Sequence, residues 1–288
     1  MNNKINTAKL SIFSNVLLVS LKLVAGLVTG SVSILSEAIH SFTDLVAAFI
    51  AFFSVRISGQ PPDKEHPYGH GKFENISGVI EGILILVAAL WIIYESARKF
   101  ISHEPVGSLY LGLMVMAFSA ILNFFVSRRL YSVARETDSI ALEADALHLK
   151  TDVYTSFGVA FGILLIWITG LHFLDPVIAI AVAFLIIYEA VVLIGHAANP
   201  LLDTSLPDHD LQIIRTVLAG QLSDCISYHQ FRTRKSGSHK YLDFHLMVPE
   251  DMSVRDAHDL CDKIEEELNK QIENIDINIH IEPCGKKR

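Results

Sequence analysis

Two histidine–aspartate pairs, His40 with Asp44 and His148 with Asp152, share one spacing and one order. An i, i+4 separation places both members of a pair on one helix face. Two such faces turned together offer two imidazoles and two carboxylates. That set suits a four-coordinate, tetrahedral ion of borderline softness such as Zn²⁺, with bonds of about 2.0–2.2 Å. Imidazole must be neutral and carboxylate ionised to bind metal, so protons and metal compete for the same four groups, and exchange of one for the other follows. In this reading His40 and His148 carry the protons while Asp44 and Asp152 hold the dication. The bland alternative makes each pair an internal hydrogen bond that helps helices associate.

Two further groups carry metal-ligand chemistry. Asp63, His66 and His70 lie close together in a stretch where Pro67, Gly69 and Gly71 dictate a loop. Such a loop can bind metal or can simply be solvated. Nearer the C-terminus, His229, His245 and His280 fall on expected strands, His258 falls on an expected helix, and Glu282 shares a strand face with His280. Four histidines and a carboxylate can then converge, whereas His239 belongs to a turn. Cys225, Cys261 and Cys284 are odd in number and lack CxxC spacing, which argues against a disulfide framework. Cys261, one turn from His258, is either an added soft ligand or core.

The elements that must hold these residues are apolar helices. Of the 288 residues 51% are hydrophobic and 19% charged, which points to a membrane domain. Runs long enough to span a bilayer, about 20 residues each, extend over Leu10–Thr29, Val32–Val55, Ile76–Ala97, Leu109–Val126, Ala141–Thr169 and Leu174–His196. The first follows Lys4 and Lys9 but lacks an A-x-A-like cleavage site, so it is expected to remain as a helix. His40 and Asp44 fall in the second span, His148 and Asp152 in the fifth. Ionisable groups inside a bilayer cost about 2.5–3.5 kcal/mol each on insertion scales, and a bound dication offsets that cost. Lys4, Lys9, Arg56, Lys64, Lys72, Arg128, Arg129 and Arg135 flank one side of the spans, against Arg98 and Lys99 on the other, so both termini are expected in the cytoplasm. Gly78 with Gly82, and Gly158 with Gly162, have the GxxxG spacing of close helix approach. Glu81 and Asn123 read as helix-packing or near-surface groups, and Glu143 with Asp145 as an acidic approach or a solvated helix end. Lys22 has no evident role.

Hydropathy falls near Leu206, and Pro207 and Asp208 supply a break and a helix start. The expected division is residues 1–205, a six-helix transmembrane bundle, and 206–288, a small α+β domain of αββαβ order. Its elements are a helix over Asp208–Ala219, strands over Ile226–Thr233 and Tyr241–Val248 around the turn at Lys235, a helix over Val254–Gln271, and a strand over Ile275–Ile281. So small a unit calls for dimerisation or metal to support it.

The segment Ser31-Val-Ser-Ile-Leu-Ser-Glu-Ala-Ile-His40-Ser-Phe-Thr-Asp44-Leu-Val-Ala47 resembles the second-helix signature of the cation diffusion facilitator family. The six spans, the HxxxD in the second and fifth, the histidine-bearing loop and the αββαβ tail extend the resemblance over nearly the whole chain. It implies a homodimeric exporter of divalent metal driven by inward proton movement, with a ferredoxin-like, metallochaperone-like cytoplasmic domain. A His-Asp set in both helices is similar to the zinc-preferring branch. The resemblance also implies a secondary loop site at Asp63, His66 and His70, and a binuclear site at the tail's dimer interface from His229, His245, His258, His280 and Glu282. Lys72 resembles a residue that pairs with an acid past the sixth helix, here Asp203.

Other classes fit less well. The net charge of −8 shows no basic excess for nucleic acid. No HExxH motif or its inverse supports an intramembrane protease, and no nucleophile constellation or phosphate loop is present, so enzymatic activity is not expected. A membrane-anchored sensor or structural dimer would need no charged groups within its spans. An iron- or manganese-preferring exporter of the same family is the remaining alternative. The expected setting is a prokaryotic inner or plasma membrane, with metal ions, protons, lipid and a second copy of the chain as partners.

Overall fold

The computed structural model describes residues 2–29, 32–102, 110–169, 174–221 and 226–284. The chain divides into two compact units, Met1–Ala198 and Asn199–Arg288.

The first unit is built from six helices: α1 (Asn2–Thr29), α2 (Val32–Ser58), α3 (Lys72–Ser102), α4 (Tyr110–Thr137), α5 (Ile140–Thr169) and α6 (Leu174–Ala198). Their 25 to 31 residues correspond to roughly 37–46 Å of α-helix, more than the ~30 Å hydrocarbon thickness of a bilayer. Among the described residues α1, α2, α3 and α6 have the length and apolar composition of membrane spans. Several helices run past the apolar stretches that announce them: α1 starts at Asn2, α3 at Lys72, and α4 continues to Thr137. Apolarity marks only the lipid-facing length, whereas Lys, Glu and Arg at the ends are good helix formers that prolong the backbone ladder.

Phe13, Leu27, Trp91, Phe125, Phe157 and Tyr188 are between 64 and 73% exposed, an outer apolar surface far beyond what water tolerates. Small residues line the inside, among them Ala47, Ala48 and Ala51 of α2 and Ala141, Ala144 and Ala146 of α5. Helix α1 packs chiefly on α2, α3 on α6 and α4 on α5, and α2 also meets α5. Glycines permit the tightest of these contacts. A Cβ on Gly78 would lie 3.0 Å from Ala197, one on Gly82 2.6 Å from Ile194, and one on Gly158 2.8 Å from Val182. The surroundings of Gly162 lie outside the described residues.

At one end of the bundle, the buried Glu74 gathers three neighbours. Lys4 Nζ of α1 donates to it at 3.3 Å, Ser58 Oγ of α2 at 2.7 Å, and Ser139 Oγ, just before α5, donates to its other oxygen. One carboxylate thus ties together the starts of α1, α3 and α5 and the end of α2.

The second unit opens with a 3-10 turn, Asn199–Leu202, followed by α7 (Asp208–Ala219), β1 (Ser227–Ser236), β2 (His239–Val248), α8 (Val254–Gln271) and β3 (Ile275–Pro283). The sheet order is β1-β2-β3, with β1 antiparallel and β3 parallel to β2. The expected αββαβ order is the one found. The β1–β2 hairpin is longer than its hydrophobic pattern suggests, because Ser236 pairs with His239 across a two-residue turn. Gly237 at φ +59° makes so tight a reversal possible. Alternate residues Leu242, Phe244, Leu246 and Val248 of β2 join Ile214, Leu218, Cys261, Ile264 and Leu268 in the core. The helices therefore cover one face of the sheet, and the residues between those leucines and valines occupy the other. Ser253 caps α8 by accepting from the Asp256 amide at 3.1 Å.

Candidate metal sites

In the bundle, α2 and α5 run in opposite directions, so their matched pairs meet crosswise. His148 Nε2 lies 3.0 Å from Asp44 Oδ1, and His40 Nε2 lies 3.8 Å from Asp152 Oδ1. Ligand atoms of His40, Asp44 and Asp152 all fall within 4.8 Å of one another, and Asp44 holds His148 against this group. The four residues singled out by their spacing are thus assembled from two helices. Side-chain exposure rises from 4% at Asp44 and 12% at His148 to 20% at Asp152 and 52% at His40. The cluster is closed at its Asp44–His148 end and open at His40.

Two side chains around this quartet were not legible as site residues. Asn123 of α4, expected to serve only packing or a near-surface position, donates from Nδ2 to Asp152 Oδ2 at 3.3 Å and so orients a ligand. Lys22 of α1 is buried and donates to Ser41 Oγ at 2.8 Å, next in sequence to His40. Neither contact has a local sequence signal, since each joins helices distant in the chain. Glu81 is not near the surface but 1% exposed. Glu143 faces His196 Nδ1 at 3.4 Å, whereas Asp145 is fully buried, so the two acids do not form one approach. Lys150, between the two ligands of α5 in sequence, pairs with Glu189 of α6 at 3.0 Å and lies over the rings of Tyr131 and Tyr154.

The loop after α2 brings its three residues together. Asp63 Oδ1 is 3.3 Å from His66 Nδ1, and Asp63 Oδ2 is 3.3 Å from His70 Nε2. The backbone makes this geometry: the His66 and Glu65 amides donate to Asp63 Oδ1 at 2.6 and 2.9 Å, and Gly69, at φ +80°, turns the chain back. The His66 amide, followed by that of Glu65, holds the Asp63 carboxyl below its usual range. His70 is buried with Nδ1 unpartnered, while Asp63 is exposed, so the donor atoms run from the interior to the surface.

On the open face of the sheet, strand register does the positioning. His229 pairs with His245 across the antiparallel ladder, and His245 pairs with His280 across the parallel one. Three imidazoles therefore form a row, with ring centroids 5.1 and 4.7 Å apart. Glu282, two residues beyond His280, reaches all three: 2.9 Å to His245 Nδ1, 3.3 Å to His229 Nε2 and 3.6 Å to His280 Nε2. A bulge follows His229, with Gln230 at φ +50°, and separates the row from the regular hairpin.

His258 does not join this row within one protomer. It lies on α8, is 73% exposed, and its nearest acid is Asp262 at 3.7 Å. The helix packs on the opposite face of the sheet, so the expected convergence of four histidines reduces here to three and a glutamate. Cys261 belongs to the core, and burial, reinforced by Glu265 and Asp262, pushes its thiol up and away from the thiolate a metal needs. Cys225 lies outside the described residues. Asp203 faces Arg234, which stacks on Tyr241, at 3.9 Å.

Comparison with known proteins matches both parts of the chain. Residues 8–202 fit the cation efflux transmembrane domain, and residues 206–284 fit the cytoplasmic domain of cation efflux proteins. An uncharacterized transporter of Synechocystis is 37% identical over 276 residues, 96% of this chain and 89% of its own length. The cation-efflux pump FieF of Cronobacter sakazakii is 31% identical over 269 residues, 93% of this chain and 89% of that protein. A solved structure, the metal-bound C-terminal domain of the CzcD transporter from Thermotoga maritima, is 32% identical and covers 28% of this chain and 93% of its own, with a TM-score of 0.26. The apolar helices and αββαβ unit of this chain, with its matches to the two cation efflux domains and to the FieF pump, make it an integral membrane member of the cation efflux family of transporters, the cation diffusion facilitators.

Proposed function

We propose that the chain exports divalent transition metal ions, zinc foremost, in exchange for protons moving inward, with both termini in the cytoplasm. The observation that carries this reading is the crosswise meeting of His40 with Asp152 and of Asp44 with His148. Two imidazoles and two carboxylates favour a tetrahedral, borderline-soft ion over a hard octahedral one. Protons from the outside displace the ion by neutralising the carboxylates and charging the imidazoles, and metal from the cytoplasm displaces them in turn. Exposure at His40 and closure at Asp44–His148 fit the outward-open stage of such a cycle.

The functional unit of the proposal is a homodimer. The His229, His245, His280 and Glu282 row lies on the sheet face opposite α7 and α8, and a second copy is what would bring a His258 to a binuclear site. The Asp63, His66 and His70 loop serves as a secondary metal site. Uptake into proteoliposomes under an imposed pH gradient tests the reading, with zinc, cadmium, iron and manganese compared. Zinc and cadmium are expected to move faster than manganese, and Asp44→Ala and Asp152→Ala to abolish movement. Flux that survives in both variants overturns the assignment of the site. A wild-type chain that binds zinc but moves none is instead a sensor or structural dimer.

A further inference from the structure

Midway in sequence between His148 and Asp152, Lys150 lies about 200° around α5 from each of them. It therefore projects from the back of the helix while the two ligands project from the front. Its Nζ is 3.0 Å from Glu189 Oε1 of α6, 5.2 Å from the ring centre of Tyr154, one turn further along α5, and 5.7 Å from that of Tyr131 of α4. Lys150 and Glu189 are 31 and 29% exposed, so the pair is largely shielded. One cation thus joins three helices behind the quartet.

Both residues lie well inside their apolar runs, where a lysine and a glutamate are costly. An apolar pair of like volume would hold the helices together as well or better, so cohesion alone does not explain them. What an ion pair adds is direction. Elsewhere α5 is buried through Ala141, Ala144 and Ala146 and through Leu147 and Leu149, contacts of a non-directional kind that constrain rotation about the helix axis weakly. Ligand atoms ride about 5–6 Å from that axis, so a rotation of about 10° displaces them by about 1 Å, against a tolerance of about 0.5 Å for a binding constellation. Asn123 of α4 orients one ligand directly. Lys150 is placed to orient the helix that carries two.

We propose that Lys150, held by Glu189, is a positioning residue of the transport site: it fixes the rotation of α5 that presents His148 and Asp152 to α2. The proposal deepens the exporter reading and rests on it for the identity of the site. The test measures zinc binding to the full-length protein in detergent by competition with a metal-responsive dye, beside thermal unfolding, in a His66→Ala/His245→Ala background that cripples the loop and the tail row. The quartet's ion is the one that Asp152→Ala removes. Lys150→Met and Glu189→Gln, each close in shape to the residue it replaces, are expected to weaken that ion about tenfold, as the loss of a group that orients a ligand does. Combined, they are expected to lose no more than either alone, and Lys150→Arg to stay within about threefold of the parent. Unchanged affinity in Glu189→Gln, with only a lower unfolding temperature, overturns the proposal, because the pair is then merely structural. So do losses that add in the double variant, or Lys150→Arg binding as weakly as Lys150→Met. Where Lys150→Met does not fold, Glu189→Gln alone decides. If Asp152→Ala removes no ion, the quartet assignment falls and this proposal with it; wild-type proteoliposomes that move no zinc remove export alone, and the affinities still decide the role of Lys150.

Discussion

Asp44 and His148, 104 residues apart in the chain, meet at 3.0 Å in the closed end of the quartet. The other histidine, His40, stands half-exposed at the open end, 3.8 Å from Asp152. Identical pairs on antiparallel helices thereby acquire different environments, and the difference has measurable consequences.

Replacing His148 by Ala leaves the buried Asp44 without its partner, at a cost of about 1–3 kcal/mol. Water can take the place of His40 at its exposed position. Zinc affinity, measured by competition with a metal-responsive dye, is expected to fall at least about tenfold more in His148→Ala than in His40→Ala. Equal losses would show that the two ends of the quartet are equivalent.

Asn123 donates to the Asp152 oxygen farther from His40. Groups that orient a metal ligand are worth about 10–100-fold in affinity. Asn123→Ala is expected to lower zinc affinity within that range. An Asn123→Ala protein with wild-type affinity removes this residue from the site.

Helix contact makes another forecast. A methyl on Gly82 would sit 2.6 Å from Ile194, whereas one on Gly195 meets nothing within 4 Å. Gly82→Ala is expected to destabilise the α3–α6 packing by about 1–3 kcal/mol, and Gly195→Ala to be neutral or slightly stabilising. Thermal unfolding in detergent should rank Gly82→Ala well below Gly195→Ala; the reverse order contradicts the packing described.

The loop yields a pH dependence. Because its amide hydrogen bonds depress Asp63 below its ordinary carboxylate range, the order it contributes is present above the unfolded-state value and is lost as pH falls through the folded one. Protection factors from hydrogen exchange at residues 63–70, corrected for the intrinsic rate, are expected to hold at about pH 5 and to fall as the pH drops below the ordinary carboxylate range. Asp63→Asn should show fast exchange in the loop at pH 5; slow exchange there in that variant would mean that the carboxylate does not order it.

In the αβ unit, His245 is the middle of the row and His258 stands apart on α8. Metal titration of residues 199–288 is expected to lose its tightest ion in His245→Ala and to keep it in His258→Ala. Loss of that ion in both variants means that His258 is brought in by the dimer for the first ion as well as the second.

Much of this protein is written locally. Six apolar runs announce six helices, because burial of a backbone in lipid leaves a helix few alternatives. The i, i+4 spacing of each His-Asp pair guarantees a shared face, and alternating strands in the tail guarantee that His280 and Glu282 project together. The donor chemistry, and with it the class of ion, follows from residue type alone. Partners across helices are another matter, since spacing along one helix does not reveal what stands opposite. Only the packed bundle decided that Asp44 would bond His148 rather than His40, that Asn123 of α4 would reach Asp152, and that Glu81 and Asp145 would each be buried in the interior. Strand register likewise set His229, His245 and His280 in one row, while the side of the sheet chosen by α8 kept His258 from it. In each case the deciding term was the direction in which two separately formed elements met, a quantity that no single stretch of sequence contains.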